Sequence, residues 1–90
     1  MMGRMDFANA VEVRLDATTT SYTVPSDGYI QFSTTNANSG AIYINDNYFC
    51  HITSVLNGNA GLIPVSASDV LSTNIGEGWL YMTFIPQKGV

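Results

Sequence analysis

Charge is the scarcest commodity in this chain: Asp, Glu, Lys and Arg make up 11% of its 90 residues, against roughly 25% in an ordinary soluble domain. Only Arg4, Arg14 and Lys88 are basic, and they are scattered along the sequence. No stripe that tracks a phosphate backbone can be assembled from them, and a net charge of -4 opposes one, so nucleic acid is excluded as a partner. A single cysteine, Cys50, rules out an intrachain disulfide. The fold must therefore hold by packing, which suits synthesis in a reducing cytosol. No apolar run approaches the roughly 20 residues of a membrane span, and residues 1–7 lack the apolar stretch of a signal peptide. The expectation is a chain without a signal peptide or membrane insertion. Missing too is any apolar stripe at helical spacing flanked by helix caps.

Hydrophobic residues account for 46% of the sequence and the mean hydropathy is +0.11, enough for one packed core in a 9.7 kDa chain and too little for two. Asn, Ser, Thr and Tyr take the place of charge on the surface. Such a neutral polar skin suits burial against partners or many weak hydrogen bonds.

Alternation with a period of two recurs along the chain. Residues 10–15 put Val11, Val13 and Leu15 on one face and Glu12 and Arg14 on the other, the pattern of a half-buried strand. Residues 20–24 form the next strand and lead into Pro25-Ser26-Asp27-Gly28, a tight turn by composition. Strands follow at 29–33 and 41–44, separated by a loop at 36–40. Asn45-Asp46-Asn47 tolerates the positive φ of a short hairpin, and residues 48–52 return from it. After a turn cluster at 57–61, residues 62–65 belong at an edge or corner, because Pro64 cannot donate to a ladder. A short strand at 69–72 and a long one at 79–85 complete the series. About eight short strands with regular turn signals define an all-β fold, an antiparallel β-sandwich or jelly roll. Residues 1–8 read as an N-terminal extension and 9–90 as a single domain.

The last strand is apolar on both faces, with Leu80, Met82 and Phe84 on one and Trp79, Tyr81 and Ile85 on the other. A two-layer sandwich covers only one of them, so the second is expected to meet another subunit. Tyr29 beside Ile30, and Tyr43 between Ile42 and Ile44, repeat the pattern. Tyr29, Tyr43, Trp79, Tyr81 and Ile85 are accordingly the candidate oligomer-interface residues.

Catalytic constellations are poorly provided for. Cys50 and His51 are adjacent, and neighbours in a strand point to opposite faces unless a bulge intervenes. Asp27, Asp46, Asp69 and Glu77 are carboxylates of the kind a glycosidase pairs, yet turn chemistry accounts for each. Gly76-Glu77-Gly78 precedes no helix and so is no phosphate loop. No ligand spacing for a metal occurs within one chain, although three copies of His51 on a threefold axis would make a site. The expectation is a non-enzyme with no catalytic residues, no cofactor and no metal.

The order Ser21-Tyr22-Thr23-Val24-Pro25-Ser26-Asp27-Gly28-Tyr29-Ile30, then Tyr43-Ile44-Asn45-Asp46, then Leu62-Ile63-Pro64-Val65 before Asp69-Val70, then Phe84-Ile85-Pro86, resembles the small modules of phage tail fibres and virion-surface proteins. The likeness spans residues 20 to 86. It implies a compact jelly roll similar to the C1q and tumour-necrosis-factor fold, a homotrimer, a structural or adhesive role in the virion, and other virion or fibre proteins as partners. Such modules often sit at the tips of long fibres. No shaft sequence precedes this one, which makes the chain either a stand-alone protein or a piece of a longer one. The alternative function is a lectin-like domain that binds a carbohydrate or receptor, a cell-surface glycan for instance, through loops containing Asn36, Asn38, Asn57 and Asn59.

Overall fold

The computed structural model describes residues 4–56 and 61–88. Eight strands run through it: β1 (Val11–Asp16), β2 (Ser21–Thr23), β3 (Gly28–Thr35), β4 (Ala41–Ile44), β5 (Asn47–His51), β6 (Leu62–Val65), β7 (Val70–Thr73) and β8 (Trp79–Pro86). Among the described residues the helical pieces are a 3-10 turn at Phe7–Asn9 and a single α turn, α1, at Thr53–Leu56. The turn cluster expected at 57–61 lies outside the described residues except for Gly61.

Two four-stranded antiparallel sheets face each other, one ordered β1-β8-β3-β6 and the other β2-β7-β4-β5. The pairings β1 with β8, β2 with β7, β3 with β6 and β4 with β5 are nested. The chain is thus one long hairpin, closed at the β4–β5 turn and folded over on itself, and the β3–β8 and β4–β7 pairs join the layers of the fold into sheets. This is jelly-roll connectivity. It explains why consecutive strands mostly lie in different sheets although the sequence between them reads as simple turns.

Local chemistry accounts for the landmarks. Asn45 and Asp46 form the two-residue β4–β5 turn with φ of 51° and 66°, the doubly positive geometry that matches the twist of a hairpin and that Asn and Asp tolerate. Pro64 lies in β6, at the edge of its sheet, where a missing N–H costs nothing. The inward faces of both sheets supply the core: Leu15, Val24, Ile30, Ile42, Ile52, Leu71, Leu80, Met82 and Phe84 are all buried. Among the described residues two polar side chains are buried with them, Thr35 and Thr73, and both are satisfied. Thr35 Oγ1 donates to the Trp79 carbonyl at 2.6 Å and Thr73 Oγ1 to the Ala41 carbonyl at 3.0 Å, so neither incurs the penalty of an unpaired buried hydroxyl.

The N-terminal segment is stitched to the domain. Met5 bridges to Gln87, the Asp6 N–H donates to the Pro86 carbonyl at 2.8 Å, and the 3-10 turn lies against β8. Residues 4–8, expected as an extension, therefore continue the β1–β8 side of the sandwich.

Candidate functional surfaces

The fold sorts the five candidate interface residues into three groups. Tyr29 and Ile85 are cross-strand partners, only 5% and 2% exposed. Little of either remains for another subunit, so the expectation of an interface role is corrected for these two: they pack within the chain itself. Trp79 and Tyr81 remain half-buried on the outward face of the β1-β8-β3-β6 sheet, their rings edge to face at 5.0 Å. Tyr43 lies on the opposite side of the molecule, on the outward face of the β2-β7-β4-β5 sheet, edge-on to Tyr48 at 6.3 Å. Alternation in a strand marks which residues leave the core, but not what meets them outside.

The two outer faces differ in chemistry. Every charged residue found in a strand lies on β1: Glu12, Arg14 and Asp16. They stand opposite Thr83, Tyr81 and Trp79 of β8. The Arg14 guanidinium lies 6.0 Å from the Tyr81 ring centroid, and its Nε is 3.5 Å from Asp16 Oδ2. An exposed pair of that kind adds little stability but holds the guanidinium beside the ring. Further across the same face come Thr34, Gln31 and Leu62, the last 43% exposed. This face is a charged rim along β1 followed by a mixed field in which Trp79, Tyr81 and Leu62 stand among Thr83, Thr34 and Gln31. The strands of the other sheet carry no Asp, Glu, Lys or Arg; its outward positions include Ser21, Thr23, Val70, Ser72, Tyr43 and Tyr48, and the exposed His51 lies on its edge strand β5.

Cys50 and His51 do not assemble a thiol–imidazole pair. A bulge does fall in β5, since Ile42 faces Cys50 while Tyr43 faces Tyr48 and leaves Phe49 unpaired. Its effect is to bring Phe49 and Cys50 both against the core, with the Phe49 ring stacked 6.0 Å from that of Phe32. Burial pushes the Cys50 thiol above its ordinary pKa, partly offset by a hydrogen bond with Ser54. A nucleophile needs the reverse shift. The exposed His51 instead accepts the Thr53 N–H on Nδ1 at 3.3 Å.

Two of the four candidate carboxylates, Asp27 and Asp69, clamp turns together. Asp27, Asp46 and Asp69 share the end of the sandwich where β2–β3, β4–β5 and β6–β7 turn, and Glu77 lies at the other end. Asp27 Oδ1 accepts the Ala67 N–H at 2.9 Å. Asp69 accepts the Ser66 N–H at 2.8 Å on Oδ2 and the Asn45 amide at 3.0 Å on Oδ1, while Asn45 Oδ1 accepts the Val70 N–H at 2.9 Å. Three turns from distant parts of the chain are tied together in this way. The Ser66 N–H, then the Asn45 amide, hold the Asp69 carboxyl below its ordinary range, whereas the general acid of a glycosidase must be raised. At the far end the Thr19 and Thr18 N–H groups likewise lower Asp16.

Both carboxylates bind protons more weakly when folded than when unfolded. Their contribution to stability is complete above the unfolded value near pH 4 and is lost as pH falls through the folded values. We expect an Asp69→Asn variant to melt below the parent at pH 7, and the gap to close as the pH falls through the folded value of Asp69, which lies below the ordinary carboxylate range. Thermal melts of both proteins across an acid pH series check this.

Of the loop residues expected to contact a ligand, Asn36 is committed to the fold: its Oδ1 accepts the Trp79 N–H at 2.8 Å. Asn38 is exposed in the same loop. Asn57 and Asn59 lie outside the described residues.

The fold and its surfaces define a jelly-roll β-sandwich with one outer face that carries Trp79, Tyr81 and Leu62 beside a charged β1 rim, and another whose strands hold no Asp, Glu, Lys or Arg. The chain matches no family model, no curated protein and no solved structure.

Proposed function

We propose that this chain is a structural, self-assembling module, a homotrimeric part of a phage virion or tail fibre that packs against other virion or fibre proteins. The observation that carries the reading is the outward face of the β1-β8-β3-β6 sheet, where Trp79, Tyr81 and Leu62 remain accessible beyond the β1 rim. Burying each such side chain contributes about 1–2 kcal/mol, and three copies together offset an association cost of about 4–15 kcal/mol. A second sign is that charge on this face is confined to the β1 edge strand, leaving β8, β3 and β6 uncharged, because a charged side chain at the centre of an interface would be desolvated without a partner. The virion setting and the number three come from the resemblance to fibre modules.

The test is the mass in solution. We expect light scattering to give three times the 9.7 kDa chain mass, with a melting temperature that rises with protein concentration. Tyr81→Asp should yield a folded monomer. The new carboxylate would stand opposite Arg14 on the surface of one chain, which preserves the fold, yet would be buried in an assembly, which blocks it. A stable parent monomer at micromolar concentration would overturn the proposal.

A further inference from the structure

The charge-free sheet is a different kind of surface from the one assigned to self-assembly. Cross-strand register places Ser21, Ser72, Tyr43 and Tyr48 in one row that crosses β2, β7, β4 and β5 in that order. At about 4.8 Å between strands the row is about 15 Å long. Thr23 and Val70 pair beside it. Tyr48, at the edge, is 64% exposed, and the Tyr43 ring meets it at 78°, so one aromatic face is supported by another at the end of a line of hydroxyl groups.

We propose that this row binds an uncharged glycan, independently of the assembly reading. The chemistry of the face selects that partner. A polyol exchanges water for Ser and Tyr hydroxyls, each both donor and acceptor, and lays its C–H surface on an aromatic ring, so it needs no counter-charge. An anionic polymer is disfavoured, because the chain carries a net charge of -4 and the turn end of this sheet is bordered by Asp46 and Asp69. A second copy of the chain is assigned instead to the opposite sheet, where Trp79, Tyr81 and Leu62 remain accessible.

The experiment titrates the full 90-residue chain, labelled with nitrogen-15, with maltohexaose, cellohexaose, xylohexaose and mannohexaose, and with a polygalacturonate hexamer as the anionic counterpart. At least one neutral hexaose at millimolar concentration should shift amide resonances of β2, β7, β4 and β5 and leave those of β1 and β8 in place. Tyr48→Ala should weaken that binding at least tenfold with no change in oligomeric mass or melting temperature, and Leu62→Ala on the other sheet should leave it intact. Absence of binding by all four neutral sugars, preferential binding of the polygalacturonate, or a loss of oligomeric mass in Tyr48→Ala would each overturn the proposal. A parent chain that binds sugar as a monomer would sustain this inference while defeating the assembly reading.

Discussion

Replacing Phe84 with Ala is expected to remove about 3–5 kcal/mol of stability, about a fifth or more of the 5–15 kcal/mol that a domain of this kind has in total. Phe84 lies on β8, paired with Val11 on one side and Ile30 on the other. It is 1% exposed and packs 6.3 Å from the Tyr22 ring across the gap between the sheets. It therefore joins both layers, and its truncation leaves a cavity that two hydrogen-bonded sheets cannot collapse to fill. With a urea m-value of about 1–1.5 kcal/mol/M for a small domain, the unfolding midpoint should fall by about 2–5 M. Equilibrium urea denaturation followed by far-ultraviolet dichroism measures it. A shift under about 0.5 M would mean that this ring is not central to the core.

Gly28→Ala is expected to be as damaging, although it adds one methyl group. Gly28 begins β3 opposite Pro86 and Val65, between two strands. A Cβ there would collide with the Ile85 carbonyl oxygen and sit 2.9 Å from Phe84 Cε1 and 3.0 Å from Pro86 Cα. The Cβ direction is set by the backbone, so no rotamer relieves the clash and β3 must move away from β8. Ordinary overpacking costs about 1–3 kcal/mol. Here the obstacle is main chain, and the cost belongs at or above the upper end. Gly76→Ala is the control, because a Cβ at Gly76 has no neighbour within 4 Å. Thermal melts should show a large drop for the first variant and almost none for the second.

Both effects bear on function, because β8 is the strand that supports Trp79 and Tyr81 on one side of the sheet and the core on the other. Displacing β8 would disturb the outward Trp79 and Tyr81 together with the packing beneath them. The β2-β7-β4-β5 face should suffer less, since its strands pair with one another and not with β8.

Much of the fold is legible in the residues taken in order. The inward set Leu80, Met82 and Phe84 follows from alternation, and the hairpin at Asn45-Asp46 follows from two residues that accept positive φ. Pro64 points to an edge strand because it has no N–H to give. Each is a local constraint, decided by the chemistry of a residue and its immediate neighbours. The surfaces were legible only in part. Trp79, Tyr81 and Ile85 share one side of β8, and nothing in the sequence separates them. Ile85 is nonetheless buried beside Tyr29, and Trp79 and Tyr81 are not.

The same division runs through the rest of the molecule. The number of strands, their inward faces, the turns and the scarcity of charge are properties of short stretches, readable where they stand. Which surfaces those stretches compose depends on pairing between residues as distant as Val11 and Phe84, and a period of two records the side of a sheet without recording its neighbours. The row of Ser21, Ser72, Tyr43 and Tyr48 is drawn from four separate strands, the Phe49 bulge brings an extra ring to the core, and Asn36 is held by an amide 43 positions away. Long-range hydrogen bonding between strands assembled these features, so they became visible only when the nested pairs were in place.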